Sequence, residues 1–199
     1  MSKLLANPEH LAAWRKILFY LDEPITLTTE EFNTYWPYVD NIWSYKSKNR
    51  PRKDGSYSIY YFCRFYRKTW DPKEPSGERL VQKTIREGAQ CDCRMNITVY
   101  VNGTRILKRH DDQTHSHDID ASDSIKKNSG LRERVTGETE SGYEPAVVLH
   151  AFRGTAQLEG RVPLEEAGGR FLNQKDVNNY ARGYHGANPD IQLQGNTNP

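Results

Sequence analysis

The sequence predicts an α+β fold, with a four- to five-stranded antiparallel β-sheet flanked by an N-terminal helical arm and a small C-terminal helical region. One observation is period-two alternation: residues 93–101 alternate apolar and polar side chains, as a strand with one buried face does. The other is helical spacing on either side of the sheet segment, for example at Leu11, Trp14 and Leu18. The chain divides into a helical arm (1–39), a sheet domain (40–118), a helical region (119–185) and a polar tail expected to be disordered (186–199).

Local signals define the elements of the arm and the sheet. Pro8 stands at the first position of a predicted helix that Pro24 ends, and Thr28 or Thr29 caps a second short turn. Strands are predicted at 42–46, 57–68, 79–86, 93–101 and 105–110, with turn signals at Asp54-Gly55 and Asn102-Gly103.

The helical region contains three predicted helices. Ser122 or Asp123 caps the first, which continues through Val135. Pro145 opens the second at its first helical position, and residues 173–184 form the third.

Cysteines and histidines are clustered within the sheet domain. The chain has three cysteines: Cys63, then a Cys-x-Cys pair formed by Cys91 and Cys93, upstream of His115-Ser116-His117. Thiolates and imidazoles are the ligands that tetrahedral zinc prefers, and four of them leave no open coordination position. The pattern therefore predicts a structural zinc ion that staples the sheet.

The preferred ligand set takes one member of the Cys-x-Cys pair. Cys93 shares the buried face of its strand, but Cys91 lies in phase with it and remains the alternative. His110 is interpreted as a histidine at the end of a strand, without a metal. Buried cysteines with no ligand role are the ordinary alternative to the whole set. The predicted zinc ligands are Cys63, Cys93, His115 and His117.

Charge is concentrated in the same domain. Residues 40–117 carry 16 Lys/Arg and 9 Asp/Glu, a net charge of +7, although the whole chain has a net charge of +2. Five of the eight residues 46–53 are basic, and such a stretch can neutralise DNA phosphates, although a solvated surface is the plain alternative. Trp43, just before this stretch, is expected in the core. The predicted contacts to double-stranded DNA are Tyr45, Lys46, Lys48, Arg50, Arg52 and Lys53.

These motifs resemble the WRKY/glial-cells-missing/FLYWCH-type zinc-finger superfamily. Trp43-Ser44-Tyr45-Lys46 is similar to the signature segment of WRKY domains, and Tyr60-Tyr61-Phe62-Cys63 to the segment with the first cysteine. The segment from Cys93 to Ile97 and the terminal His115-Ser116-His117 complete the resemblance. It implies a zinc finger, insertion of a strand into the DNA major groove, and transcription regulation in the nucleus.

The helical region resembles the part C-terminal to the zinc domain in Mutator-like transposases and far-red-impaired-type regulators. The resemblance lies in three short segments, 131–135, 142–145 and 174–179. It implies that the protein is transposon-derived.

The sequence thus predicts zinc-dependent, sequence-specific DNA binding by a transcription regulator or transposase-derived protein. A zinc-stapled protein–protein interaction module without DNA binding is the alternative, with a protein partner at the helical region. A hydrolytic metal site that combines His-x-His with Asp111, Asp112 and Asp118 is disfavoured, because motifs such as His-Glu-x-x-His and the P-loop are missing. No enzyme is predicted. No apolar run approaches the roughly 20 residues of a membrane span, so no membrane partner is expected.

Overall fold

The structure, a computed structural model, describes residues 8–66, 90–153 and 164–187. Within these ranges five strands form one antiparallel sheet in the order β1-β5-β4-β3-β2, together with six α-helices, which confirms the predicted α+β class. The predicted strand 79–86 and most of the predicted tail lie outside the described residues. The elements are α1 Leu11–Tyr20, β1 Ile25–Leu27, α2 Thr29–Tyr35, β2 Trp43–Lys48, β3 Tyr57–Cys63, β4 Arg94–Val99, β5 Arg105–Arg109, α3 Ile119–Ile125, α4 Ser129–Glu140, α5 Pro145–Phe152 and α6 Gln174–Ala187.

Strand β4 is the centre of the sheet, and its alternation was predicted correctly. Met95, Ile97 and Val99 are buried on the face that packs beneath α1, while the residues between them are half-buried on the other face. Ile97 pairs with Leu107 of β5, which is also fully buried. The hairpin between these strands turns at Gly103, whose positive φ of 85° suits glycine.

Strand β1 was missed by the sequence prediction. This three-residue segment pairs with β5, with Ile25 opposite Leu107 and Leu27 opposite Arg105. Part of the predicted helical arm is therefore the outermost strand of the sheet. Thr28 caps the following helix α2 through a capping box with Glu31, as one of the two predicted caps.

The beginning of β2 is anchored in the core. Trp43 is 2% exposed, as expected, and its indole Nε1–H donates to the carbonyl oxygen of Leu18 in α1, 3.3 Å away. The remaining residues of β2 are exposed. This hydrogen bond fixes the position at which the exposed part of β2 begins.

Trp43→Phe is expected to lower the free energy of unfolding by about 1–3 kcal/mol, because the buried Leu18 carbonyl loses its donor while most of the aromatic packing remains. Tyr45→Phe is the control: it removes a hydroxyl from an exposed ring and should change stability by no more than about 0.5 kcal/mol. Urea unfolding measures both. Equal stability of the two variants would contradict an anchoring role for the indole.

The first predicted helix of the helical region is two helices. Asp118 caps α3 and Asn128 caps α4, whereas the predicted caps Ser122 and Asp123 are buried inside α3. The break occurs because Lys126, the residue after α3, has an extended backbone. The helices that begin at Pro145 and near residue 173 are confirmed, and α4, α5 and α6 share a second apolar core.

Candidate metal centre and nucleic-acid interface

Four side chains from separate parts of the chain meet at one end of the sheet. Cys63 ends β3, Cys91 precedes β4, and His115 and His117 lie between β5 and α3. One potential ligand atom from each lies within 4.8 Å of the others. The two cysteines are buried and the two histidines are half-buried, so the group is close enough to hold a metal ion.

The distances within this group match a tetrahedral site. The Sγ atom of Cys63 lies 3.1 Å from Nε2 of His117, and the Sγ atom of Cys91 lies 3.4 Å from Nδ1 of His115. Zinc bonds of about 2.0–2.3 Å in a tetrahedron place neighbouring ligand atoms roughly 3.3–3.8 Å apart. The donor set of two sulfurs and two nitrogens therefore needs only small adjustments to enclose the ion.

Outer contacts orient the donors. Nδ1 of His117 hydrogen bonds to the carbonyl oxygen of Asp118 at 2.7 Å, which makes Nδ1 the protonated nitrogen and leaves Nε2 free as a ligand. The Phe65 backbone N–H donates to Sγ of Cys63 at 3.4 Å. The Ser116 hydroxyl donates to the Gln90 carbonyl at 2.8 Å, tying the His-x-His segment to the chain before β4.

The structural group differs from the preferred sequence set in one member: Cys91 takes the place predicted for Cys93. Ser116 ties the His-x-His segment beside Gln90, so Cys91 is the nearer thiol. Cys93 lies two residues further into the sheet, about 7 Å along an extended strand, where its carbonyl accepts the Cys63 backbone N–H at 2.9 Å. Cys91, which the strand pattern left open as the alternative ligand, is therefore the cysteine that joins Cys63 in the group.

The pKa values of the two cysteines of the group are shifted in opposite directions, and so are those of the two histidines. A hydrogen bond between the two thiols lowers the pKa of Cys91 and raises the pKa of Cys63, which burial raises further. Burial raises the pKa of Cys93, the thiol outside the group, to about 12. Burial lowers the pKa of His115; it acts in the same direction on His117, but hydrogen bonds to Cys91 and Asp118 outweigh it and raise that pKa. Cys91 and His115 thus favour the forms that bind metals, thiolate and neutral imidazole.

Aromatic rings enclose the histidines. Phe19 of α1 stacks on His115 with ring centroids 4.1 Å apart, and Trp43 lies 4.9 Å from the same ring. Phe65 covers His117 at 4.3 Å. Nδ1 of His115 faces the thiol of Cys91. Nε2 of the same ring is buried and has no hydrogen-bond partner among the described residues. This closed surrounding resembles a structural metal site more than a catalytic one.

The other candidate residues of this end have separate roles. His110 is exposed at the end of β5, outside the ligand group, and its ring lies 6.4 Å from that of Tyr60. Asp111 pairs with Arg94 at 2.5 Å, and the Asp118 carboxylate accepts the Ala121 N–H to cap α3. None of these carboxylates belongs to the group of potential ligands found among the described residues.

The predicted DNA-contact residues lie in β2 and in the loop that follows it. In the described part of the chain β2 is the end strand of the sheet, beside β3, and all five residues after Trp43 are exposed. The register shifts between Tyr45 and Ser47, so Lys46 occupies a β-bulge. Bulges re-aim a side chain and twist a strand edge. Tyr45 is 62% exposed, and its position beside the bulge leaves its ring accessible.

In the described part of the chain, the two lysines of β2 lie near aromatic rings and not near carboxylates. Among the described residues, the amines of Lys46 and Lys48 approach aromatic rings, 5.6 Å from Phe62 and 3.9 Å from Tyr57, and neither forms an ion pair. We name the exposed set Tyr45, Lys46, Lys48, Arg50, Arg52 and Lys53 the edge surface.

Arg52 has a structural role within the edge surface that its sequence position did not indicate. Its guanidinium donates to the hydroxyls of Ser56 and Ser58, at 3.1 and 2.8 Å. The Asp54 carboxylate accepts the Ser56 backbone N–H at 2.9 Å, and Gly55 has a φ of 77°. These contacts brace the turn between β2 and β3, so Arg52 shapes the loop that presents its neighbours.

Comparisons with protein-family models, with curated proteins and with solved structures give no match to this chain. The superfamily resemblance remains a hypothesis that rests on the quoted motifs. Within the described ranges, no helix combines the length and the apolar character that crossing a bilayer requires.

Proposed function

We propose that the protein is a zinc-dependent, sequence-specific DNA-binding protein that acts in the nucleus as a transcription regulator or transposase-derived factor. Zinc held by Cys63, Cys91, His115 and His117 would supply a structural crosslink, since four protein donors complete a tetrahedral shell. The chain's own residues then orient the exposed strand. The main supporting observation is that β2, anchored by Trp43 beside this site, is the end strand of the sheet within the described residues, with its remaining residues exposed.

Strand geometry makes the edge surface suitable for a DNA groove. A two-stranded β-ribbon fits the major groove, about 12 Å wide, where base edges carry a distinct hydrogen-bonding pattern for each base pair. Lys46, in the bulge, is exposed and is the candidate for reading guanine. Arg50, exposed on the outgoing loop and without a hydrogen bond or ion pair among the described residues, suits a backbone phosphate.

The end position of β2 among the described strands also favours a second candidate function. The backbone of an edge strand can pair with a strand from another protein, so a zinc-stapled interaction module without DNA binding uses the same β2 differently. The two functions differ in salt dependence. DNA binding weakens steeply as salt rises because counterions are released, whereas backbone pairing with a protein strand does not release them.

The test is selection from random duplex DNA with zinc-loaded protein, followed by affinity measurements across salt concentrations. Lys46→Ala should weaken binding to the selected site by about 1–3 kcal/mol and relax sequence preference, as expected for a base contact. Arg50→Ala should weaken binding to all sequences and reduce the salt slope by about one, as expected for a phosphate contact. Arg50 is the better probe than Arg52, because removing Arg52 also disturbs the loop.

Lys16→Ala is the matched control, since Lys16 is an exposed cation on α1 and is not part of the edge surface. It should leave affinity, sequence preference and salt slope unchanged. Absence of an enriched motif, together with affinity that does not respond to salt, would overturn DNA binding. Wild-type binding by folded, zinc-loaded Lys46→Ala and Arg50→Ala variants would instead show that another surface contacts the DNA.

A further inference from the structure

Three cations from different parts of the chain gather at the start of β2. Arg64, directly after β3, donates to the carbonyl oxygens of Asn41 and Trp43. The side-chain amide of Asn41 donates in turn to the carbonyl oxygen of Lys126, 2.9 Å away, which brings the α3–α4 junction to the same place. Arg132 lies one turn after Ser129 in α4, and the Ser129 backbone N–H donates to the Asp40 carboxylate, so Arg132 comes near the other two cations and its charge acts on both. We name Arg64, Lys126 and Arg132 the entry cluster.

The positive charge of the entry cluster is poorly balanced. Asp40 is the carboxylate that offsets it, but one oxygen of Asp40 already accepts the Ser129 backbone N–H at 2.9 Å. Within the described ranges none of the three cations forms an ion pair with a carboxylate. Nε of Arg132 is buried and has no hydrogen-bond partner there. Gathered cations of this kind are stabilised when an anion binds between them.

Two members of the entry cluster belong to a region whose net charge is negative. Residues 118–199 carry 9 Lys/Arg and 12 Asp/Glu, so the helical region is acidic as a whole. Two of its cations, Lys126 and Arg132, nevertheless lie next to the basic sheet domain. Burial, followed by the nearby charge of Arg64, lowers the pKa of Lys126. A polyanion at this surface would offset the repulsion among these cations.

We propose that the entry cluster binds the phosphate backbone of duplex DNA on one side of the groove that β2 enters. This inference rests on the proposed function. The entry cluster lies at the Trp43 end of β2, and the cations of the outgoing loop lie beyond its Lys48 end. Five steps along a strand span about 17 Å, enough to reach both backbones flanking a major groove about 12 Å wide.

The helical region thereby becomes part of the DNA-binding surface. Arg64 has a positioning role as well, since its guanidinium holds the backbone carbonyls at the entry to β2. Lys126 is half-buried and has no such side-chain bond among the described residues, so its amine can contact a phosphate. Lys126 and Arg132 are therefore the residues to change.

The experiment compares two double variants of the full-length, zinc-loaded protein on its selected duplex. Lys126→Gln/Arg132→Gln removes two cations of the entry cluster, whereas Lys175→Gln/Arg182→Gln removes two exposed cations from α6 and changes the net charge equally. The first should reduce the slope of log affinity against log salt by about 1.8, which corresponds to two lost phosphate contacts. The control should keep the wild-type slope. Sequence preference should be unchanged in both.

Two further variants guard against misfolding. Lys126→Gln alone should reduce the slope by about 0.9, and Arg132→Lys should retain it because the charge remains. If both double variants bind DNA with the affinity and the salt slope of the wild-type protein, the entry cluster does not contact DNA. The proposed function would still stand. No binding of wild-type protein to any duplex would overturn both. Inorganic phosphate is the last probe. If it binds to wild-type protein but not to Lys126→Gln/Arg132→Gln, while this variant keeps the wild-type salt slope on DNA, the entry cluster is a small-anion site. That result would also overturn the proposal.

Discussion

Cys91→Ser is expected to abolish stoichiometric zinc binding and to unfold the metal end of the sheet, whereas Cys93→Ser should keep one zinc ion per chain. Sγ of Cys91 lies 3.4 Å from the His115 ring nitrogen, and Cys91 belongs to the group of four potential ligands; Cys93 does not. Metal analysis of purified protein and circular dichroism, each with and without a chelator, measure the two outcomes.

The expected effect is large because metal binding and folding are coupled. Structural zinc contributes apparent binding free energies of about 10–16 kcal/mol in zinc-finger peptides, and a domain is stable by only about 5–15 kcal/mol. Here the donors belong to three chain segments, and Phe19 and Trp43 enclose the His115 ring. Without the ion, burying these polar groups is no longer compensated. Chelation of zinc from wild-type protein should therefore reproduce the Cys91→Ser phenotype.

The Cys93→Ser variant is the matched control, since it makes the same atomic change two residues away. It should lose only the contribution of a small buried side chain, about 1–3 kcal/mol for a hydroxyl in an apolar place. If Cys93→Ser loses zinc and Cys91→Ser keeps it, the ligand assignment is reversed. If wild-type protein holds no zinc and a chelator leaves its stability unchanged, the group of four residues is not a metal centre.

Much of the sheet and the site could be predicted from local patterns in the sequence. Alternation identified β4 because its burial depends on one face of one strand. The turn at Asn102-Gly103 and the burial of Trp43 were likewise local. The cysteine and histidine types, with their grouping in one domain, indicated three of the four residues that meet, namely Cys63, His115 and His117.

The remaining features depend on packing between distant segments. The phase of a strand cannot separate Cys91 from Cys93, because residues two apart share a face; the contact of Ser116 with Gln90 makes the difference. Strand β1 is three residues long, too short to show a period, and becomes a strand through its pairing with β5. The sequence predicted Asp123 as a possible helix cap. In the structure it pairs with a buried arginine 108 residues earlier, and no local pattern indicates a partner at that distance.

Breaking the buried pair of Arg15 and Asp123 is expected to cost about 3–5 kcal/mol of stability. The two side chains are 5% and 2% exposed, and the guanidinium contacts both carboxylate oxygens at 2.7 and 2.8 Å. Arg15 also donates to the carbonyl oxygens of Tyr38 and Glu166, and Asn41 donates to the same carboxylate. The pair thus joins α1, the chain before β2, α3 and the segment before α6.

Asp123→Ala leaves a buried guanidinium without its counter-charge, and Arg15→Ala leaves a buried carboxylate. Each single variant should therefore be strongly destabilised in urea unfolding of zinc-loaded protein. Burial already raises the pKa of Asp123 against the opposing effect of Arg15, so removing the arginine should raise it further. Zinc stoichiometry should be retained, because neither residue belongs to the ligand group.

Arg15→Met/Asp123→Leu provides the decisive comparison, since it removes both charges and keeps side-chain volume. Its cost should be smaller than the sum of the two single costs by about 1–3 kcal/mol, because no unpaired charge remains. Arg170→Ala is the matched control: it breaks an exposed pair with Asp120 and should cost less than about 1 kcal/mol. Strictly additive costs for Arg15 and Asp123 would mean that the two side chains stabilise the protein through separate contacts. A coupling energy of about 1–3 kcal/mol between Arg15 and Asp123 would identify their ion pair as a link between α1 and α3.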